Sequence, residues 1–193
     1  MNVSFDTSGW LKSSDNIEKY KSPNYDLRPK GININLVVLH NISWPEGIFS
    51  GNEVEKLFLN KIDFSLKKNK LLAGLKVSSH FYIRRNGSLV QFVSVFNRAW
   101  HAGVSNFLNK ENCNDFSIGI ELEGTDHIKF CKEQYETLFS LLFSLVVFLP
   151  SLEFVTGHSY IAPMRKTDPG PLFDWVKLAK EIKRNKKNLK LFC

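Results

Sequence analysis

Cysteine is scarce in this chain and shows no paired pattern. Cys113, Cys131 and Cys193 are the only three among 193 residues, and no two stand as Cys-x-x-Cys. An odd count without paired spacing argues against a disulfide framework and suits a reducing compartment. Long apolar runs are missing as well. The longest, Leu138 to Leu149, is interrupted by Ser140 and Ser144 and falls short of the roughly 20 residues that span a bilayer. Met1 to Trp10 carry no basic segment followed by an apolar one, so no secretory signal is expected and the chain reads as cytoplasmic. No internal repeat, low-complexity tract or second-domain linker interrupts it. One domain over 1–193 is expected, with about 1–30 as an extended N-terminal arm and about 176–193 as a basic C-terminal helix and tail.

What is present suits a packed globular protein: 43% hydrophobic residues, 13% aromatic, and sixteen Phe to build a core around rings. The formal net charge of +7 favours anionic partners such as nucleic acid, an acidic membrane or a carboxylate-bearing small molecule. Much of the excess sits in the tail, at Lys180, Lys183, Arg184, Lys186, Lys187 and Lys190, where a solvated helix face explains it without a partner. A nucleic-acid reader needs clustered Lys and Arg interleaved with aromatics, or a reader motif, and neither is evident. No nucleic acid, membrane or obligate protein partner is therefore expected.

Periodicity places the elements. Ile34 to Leu39 is a continuous apolar run, as in a strand covered on both faces. Glu53 to Leu59 has the composition of a short helix, and Lys67 to Lys70 reads as a solvated connection. Ser79–Arg85 and Ser88–Val95 flank Asn86-Gly87, a strong hairpin signal. Ser117 to Glu123 alternates strictly, with Ile118, Ile120 and Leu122 on one face and Ser117, Gly119, Glu121 and Glu123 on the other. Lys132 to Leu149 predicts a helix central to the core, Phe154 to Thr156 a short strand, and Phe173 to about Lys187 a basic amphipathic helix. Strands with intervening helices imply a single α/β domain around a mixed sheet.

The chemistry concentrates in Thr156 to Pro171. That segment holds His158, Lys166 and Asp168, and is too rich in Pro and Gly to be a helix. Imidazole and carboxylate are both zinc ligands, and a catalytic zinc takes three protein ligands with one position open. His40, which ends the apolar run, supplies the third candidate, so the expected site is His40, His158 and Asp168 around one metal ion. Glu121 and Glu123 share a strand face that either meets solvent or lines a polar site. Bordering the metal, one of them could take a proton from the attacking water. Lys166 could stabilise the oxyanion on a scissile carbonyl, which together makes a hydrolase for amides or esters.

Several segments carry a resemblance to a known family. They are Ser22-Pro23-Asn24-Tyr25-Asp26 with Arg28-Pro29, Val38 to Ser43, Val77 to His80, Arg84 to Gly87, Arg98 to Ser105, Asn114 to Asp126, and the His158 to Asp168 loop. From about Trp10 to Trp175 the chain resembles the zinc-dependent N-acetylmuramoyl-L-alanine amidases of the type shared with peptidoglycan-recognition proteins. Within them it is most similar to the cytoplasmic 1,6-anhydro-N-acetylmuramyl-L-alanine amidases of cell-wall recycling.

The resemblance implies a mixed sheet flanked by helices with the metal at one end of the strands. It implies zinc on His40, His158 and Asp168, with Glu121 rather than Glu123 as the catalytic glutamate and Lys166 as the catalytic lysine. An ionised Asp168 would leave the zinc site a formal +1. The implied substrate is a small muropeptide, cleaved between the lactyl group of anhydro-N-acetylmuramic acid and L-Ala. Asn41, Trp100 and His101 lie in matched segments and are expected at the substrate. Lys76 and Asn112 stand where relatives carry arginines that hold substrate. Lys76 keeps the charge without the bidentate fork, and Asn112 loses both.

Overall fold

Parallel strands flanked by helices form the centre of the molecule, and the apolar patterning accounts for where they lie. The computed structural model describes residues 3–185 and 188–193. In chain order its strands are β1 (Ile17–Lys19), β2 (Tyr25–Leu27), β3 (Leu36–Ile42), β4 (Phe81–Ile83), β5 (Leu89–Gln91) and β6 (Asn97–Ala99). They continue with β7 (Asn106–Phe107), β8 (Lys110–Glu111), β9 (Ser117–Glu123), β10 (Phe154–Gly157) and β11 (Lys190–Phe192). The helices are α1 (Glu53–Phe58), α2 (Lys132–Phe148), α3 (His158–Ile161) and α4 (Trp175–Arg184). One mixed sheet runs β1-β5-β4-β9-β3-β10-β11, in which the β4–β5 pair alone is antiparallel. This is the α/β architecture expected from the sequence. No helix among the described residues is long and apolar enough to cross a membrane.

The two faces of the sheet bury different sets of residues. Val37 and Leu39 of β3 join Ile118, Ile120 and Leu122 of β9 against Leu138, Leu141, Leu142 and Leu145 of α2 and Leu178 and Ile182 of α4. Each fully buried leucine contributes roughly 1.5–3 kcal/mol, so the α2 stripe alone outweighs any single polar contact in the protein. Leu36 and Val38 face the other way, onto Ala102, Phe107, Phe116 and Ile161. The polar face of β9 is buried like the apolar one, because side chains such as His101, packed on Gly119 and Ser117, cover it.

Several expectations are corrected. The 1–30 segment is built into the fold: β1 adds a parallel edge strand to β5, and β2 pairs with β6. The last helix ends at Arg184, and the chain returns as β11 along β10; Lys186 and Lys187 lie outside the described residues. Helix α2 is central to the main core, as expected, although its outer face is open at Val147. Lys67–Leu72 is a 3-10 turn whose lysines are solvated as expected, pinned by the buried Asn69, which accepts from Trp44 Nε1 and donates to Asp63 O. The Asn86-Gly87 hairpin forms as expected, with shorter strands.

Arg28 ties the N-terminal segment to the sheet. Its guanidinium donates to four main-chain carbonyls, those of Asn114, Asp115, Val95 and Ser117, at 2.8–3.2 Å. A lysine cannot reproduce that planar fork. Arg28→Lys is therefore expected to cost about 2–4 kcal/mol in denaturant unfolding, since carbonyls are left without donors. A loss under about 0.5 kcal/mol, the range of an ordinary surface substitution, would contradict this role.

Candidate metal centre and active site

The site is assembled at the carboxyl ends of three adjacent parallel strands, where open α/β sheets commonly bind ligands. His40 of β3 lies in register with Glu121 of β9, and Leu39 with Gly157 of β10, after which His158 opens α3. The segment expected as a loop thus begins with one helical turn. It then folds back: Lys166 N–H donates to Ala162 O, and Ser159 N–H donates to Asp168 O at 2.9 Å, returning Asp168 to His158.

His40 Nδ1, His158 Nδ1 and Asp168 Oδ2 form a triangle with sides of 2.9, 2.9 and 3.0 Å. Hydrogen bonds cannot account for all three sides, since each Nδ1 carries at most one proton and an ionised carboxylate carries none. His158 Nε2 is 3.0 Å from Ala102 O, which only accepts. In a neutral imidazole the proton is then on Nε2, and Nδ1 presents a lone pair. Two imidazole nitrogens and a carboxylate oxygen converging on one point are the donor set of a divalent cation. Burial pushes the pKa of His40 down to about 4. For Asp168, burial opposes ionisation, but the two imidazoles beside it outweigh burial and hold the carboxyl well below the usual range. A neutral imidazole and an ionised carboxylate are the forms that hold a cation.

Glu121 and Glu123 part company here. Glu121 is buried and its Oε2 has no partner. Burial first, then the charge of Asp168, raise its pKa well above the usual carboxylate range, with Lys166 acting the other way. A carboxyl that burial makes more basic is suited to general-base work. Glu123 instead accepts from Arg85 N–H at 2.8 Å and bonds the Tyr82 hydroxyl, so it is tied into the scaffold. Lys166 is exposed, and its ammonium makes no hydrogen bond or ion pair among the described residues.

A cavity of about 260 Å³ is lined by His40, His158, Asp168, Glu121, Lys166, Asn41, Trp100 and His101, with an apolar wall from Leu57, Leu72 and Val77. A second, of about 430 Å³, shares Asn41, Trp44, Lys166 and Asp168 and adds Glu46, Thr125 and Asp126. Asn41 donates to Asp126 at 2.7 Å, and Trp100 Nε1 donates to Asp26 at 2.7 Å, so both side chains are fixed at the rim. His101 lines the metal cavity, but its ring nitrogens face His40 and Ser117. Lys76 is exposed and lines a separate small pocket with Phe64 and Leu75. Asn112 borders a further pocket with Arg165, which none of His40, His158 and Asp168 lines.

Sequence reasoning overlooked Asp26, Asp126 and Arg165. All three stand inside the motif segments, which signalled their place but not their partners. Arg165 donates to Ala102 O and Val104 O at 2.7 and 2.6 Å, anchoring the loop that carries Lys166.

The family model described as N-acetylmuramoyl-L-alanine amidase matches residues 30–171. The 1,6-anhydro-N-acetylmuramyl-L-alanine amidase AmpD of Citrobacter freundii is 47% identical over 171 residues, covering 88% of this chain and 90% of that protein. A crystal structure of a selenomethionine AmpD derivative superposes with a TM-score of 0.84 at 45% identity, over 90% of this chain and 97% of that one. The fold also matches Escherichia coli AmiD, solved with anhydro-N-acetylmuramic acid-L-Ala-D-gamma-Glu-L-Lys, at a TM-score of 0.56 and 24% identity, over 93% of this chain and 65% of that one.

The raised pKa of Glu121 sets a pH dependence. A carboxyl whose folded-state pKa is raised binds its proton more tightly in the native state, so its contribution is full below the unfolded value of about 4.5 and is lost as pH rises through the folded one. Glu121→Gln should therefore raise the melting temperature of metal-free protein at neutral pH, and the gain should shrink towards pH 4. His40 behaves oppositely: its contribution is full above 6.5 and falls as pH drops towards about 4. Parallel stability-versus-pH curves for wild type and Glu121→Gln would show that Glu121 is not held in a desolvated position.

Proposed function

The chain belongs to the N-acetylmuramoyl-L-alanine amidase family, and from that premise we propose that it hydrolyses 1,6-anhydro-N-acetylmuramyl peptides. The scissile bond is the amide between the lactyl group and L-alanine, and the reaction serves peptidoglycan recycling in the cytoplasm. The relatives' names supply the substrate class. One observation carries the chemistry: His40 Nδ1, His158 Nδ1 and Asp168 Oδ2 converge in a single cavity with the partnerless carboxyl oxygen of Glu121. We take the metal to be zinc, and 1–193 to be one amidase domain.

Held by His40, His158 and Asp168, zinc would supply a Lewis acid that polarises the scissile carbonyl. The remaining work falls to side chains. Glu121 takes a proton from the attacking water and passes it to the departing amine of L-alanine. The Lys166 ammonium, at the rim shared by both cavities, stabilises the oxyanion that develops on the carbonyl. Asn41 and Trp100 hold the muramyl or peptide part, oriented by Asp126 and Asp26. Lys76, beside Leu75 at the exposed rim, meets the anionic peptide stem.

Incubation with an anhydromuropeptide and with intact sacculi, with and without chelator, tests the reading by product mass. Free stem peptide should appear from the anhydromuropeptide and cease on chelation. Full activity after exhaustive chelation, or equal cleavage of sacculi, would overturn it. Glu121→Gln should lower kcat by ~10²–10⁴-fold, while Glu123→Gln spares turnover and costs stability. Lys166→Met should lower kcat and kcat/KM together, by ~10²–10³-fold, with zinc still bound. An unchanged kcat with raised KM would assign Lys166 to substrate binding instead.

A further inference from the structure

We infer that His101 is a positioning residue for His40, and that the dipeptide His101-Ala102 orients both metal-binding imidazoles. This rests on the metal reading above, and differs from the expectation that His101 contacts substrate. The hydrogen bonds form a chain whose directions can be worked out from its far end. Ser117 Oγ is 2.5 Å from Cys113 O, which only accepts, so the single hydroxyl proton is spent there. Ser117 Oγ can then only accept from His101 Nε2, 3.2 Å away. With its proton on Nε2, His101 presents a lone pair at Nδ1, and that lone pair faces His40 Nε2 at 3.0 Å. His40 therefore carries its proton on Nε2 and turns the lone pair of Nδ1 towards His158 and Asp168. Ala102 O fixes His158 in the same tautomer.

Two further features hold the dipeptide in place. Asn114 Oδ1 accepts from the main-chain N–H of both His101 and Ala102, at 3.1 and 2.8 Å. A Cβ added at Gly119 would overlap the His101 ring, so the ring sits on bare backbone of β9. The buried polar face of β9 thereby gains a reason for each residue: Ser117 ends the chain, Gly119 seats the imidazole, and Glu121 faces the reacting centre. Partners that fix the tautomer of a metal-binding histidine typically change metal affinity by about 10–100-fold when removed.

The test measures zinc dissociation constants by chelator competition on the full chain, together with KM of zinc-saturated enzyme. His101→Phe keeps a ring and loses the acceptor, so zinc should bind about 10–100-fold more weakly. His101→Asn places a carbonyl oxygen near the former Nδ1 and should restore most of the affinity. Ser117→Ala should weaken zinc binding in the same direction by a smaller factor, and KM at saturating zinc should stay unchanged throughout. Unchanged zinc affinity with raised KM in His101→Phe would overturn the inference in favour of a substrate contact. Failure of His101→Asn to restore affinity would reduce the role to packing. Should His101→Phe not fold, Ser117→Ala decides, and wild-type zinc affinity in that variant overturns the inference. A wild-type chain that binds no zinc would sink the metal reading itself, a result distinct from zinc-binding wild type with insensitive variants.

Discussion

The parallel registration of β3 with β9 on one side and β10 on the other is the constraint on which the site depends. It sets His40 beside Glu121 and lets His158 emerge next to both. Side chains alternate along a strand, so a slip of one residue would turn His40 into the α2 core and present Leu39 to the cavity. What prevents the slip is not the site but the packing on both faces, where Val37 and Leu39 meet α2 and Leu36 and Val38 meet the opposite layer. Hydrophobic burial fixes the register, and the register fixes the chemistry.

The polar groups set into that frame are of two kinds. His80, Asn114, Gln134 and Glu123 are buried and each meets main-chain or side-chain partners, which makes them part of the scaffold. Glu121 Oε2 is buried with no partner, a cost that packing alone does not explain. Local conflict with the rules of stability is what a working carboxyl requires, because a satisfied one would be a weak base. The two glutamates of one strand face thus divide into one tied to the scaffold and one without a partner, the member we propose as reactive.

Much of this was legible in the residues. The apolar run of β3, the alternation of β9, the Asn86-Gly87 turn and the α2 stripe are local periodicities, and local periodicity is what a sequence displays directly. The candidate ligand set was legible as chemistry, because His158 and Asp168 share a stiff segment and His40 ends an apolar run, and the structure brings the three together. Non-local pairing was not. Alternation alone cannot tell a solvent face from a cavity wall, so the burial of Ser117, Gly119 and Glu121 awaited the neighbours of β9. The edge strands β1 and β11 are three residues each and too short to show a period. Nothing near His101 in the chain reveals that its partners are His40 and Ser117, 61 and 16 residues away.

The central claim is that two imidazoles and one carboxylate hold a zinc ion. X-ray absorption at the zinc edge of the purified protein addresses it most directly, since it reports ligand type and distance without relying on activity. The account predicts two imidazole nitrogens and one carboxylate oxygen at about 2.0–2.2 Å, completed by a further oxygen, with no sulfur near 2.3 Å. A sulfur shell from any of the free cysteines, or a zinc spectrum left unchanged by Asp168→Ala, would contradict the account.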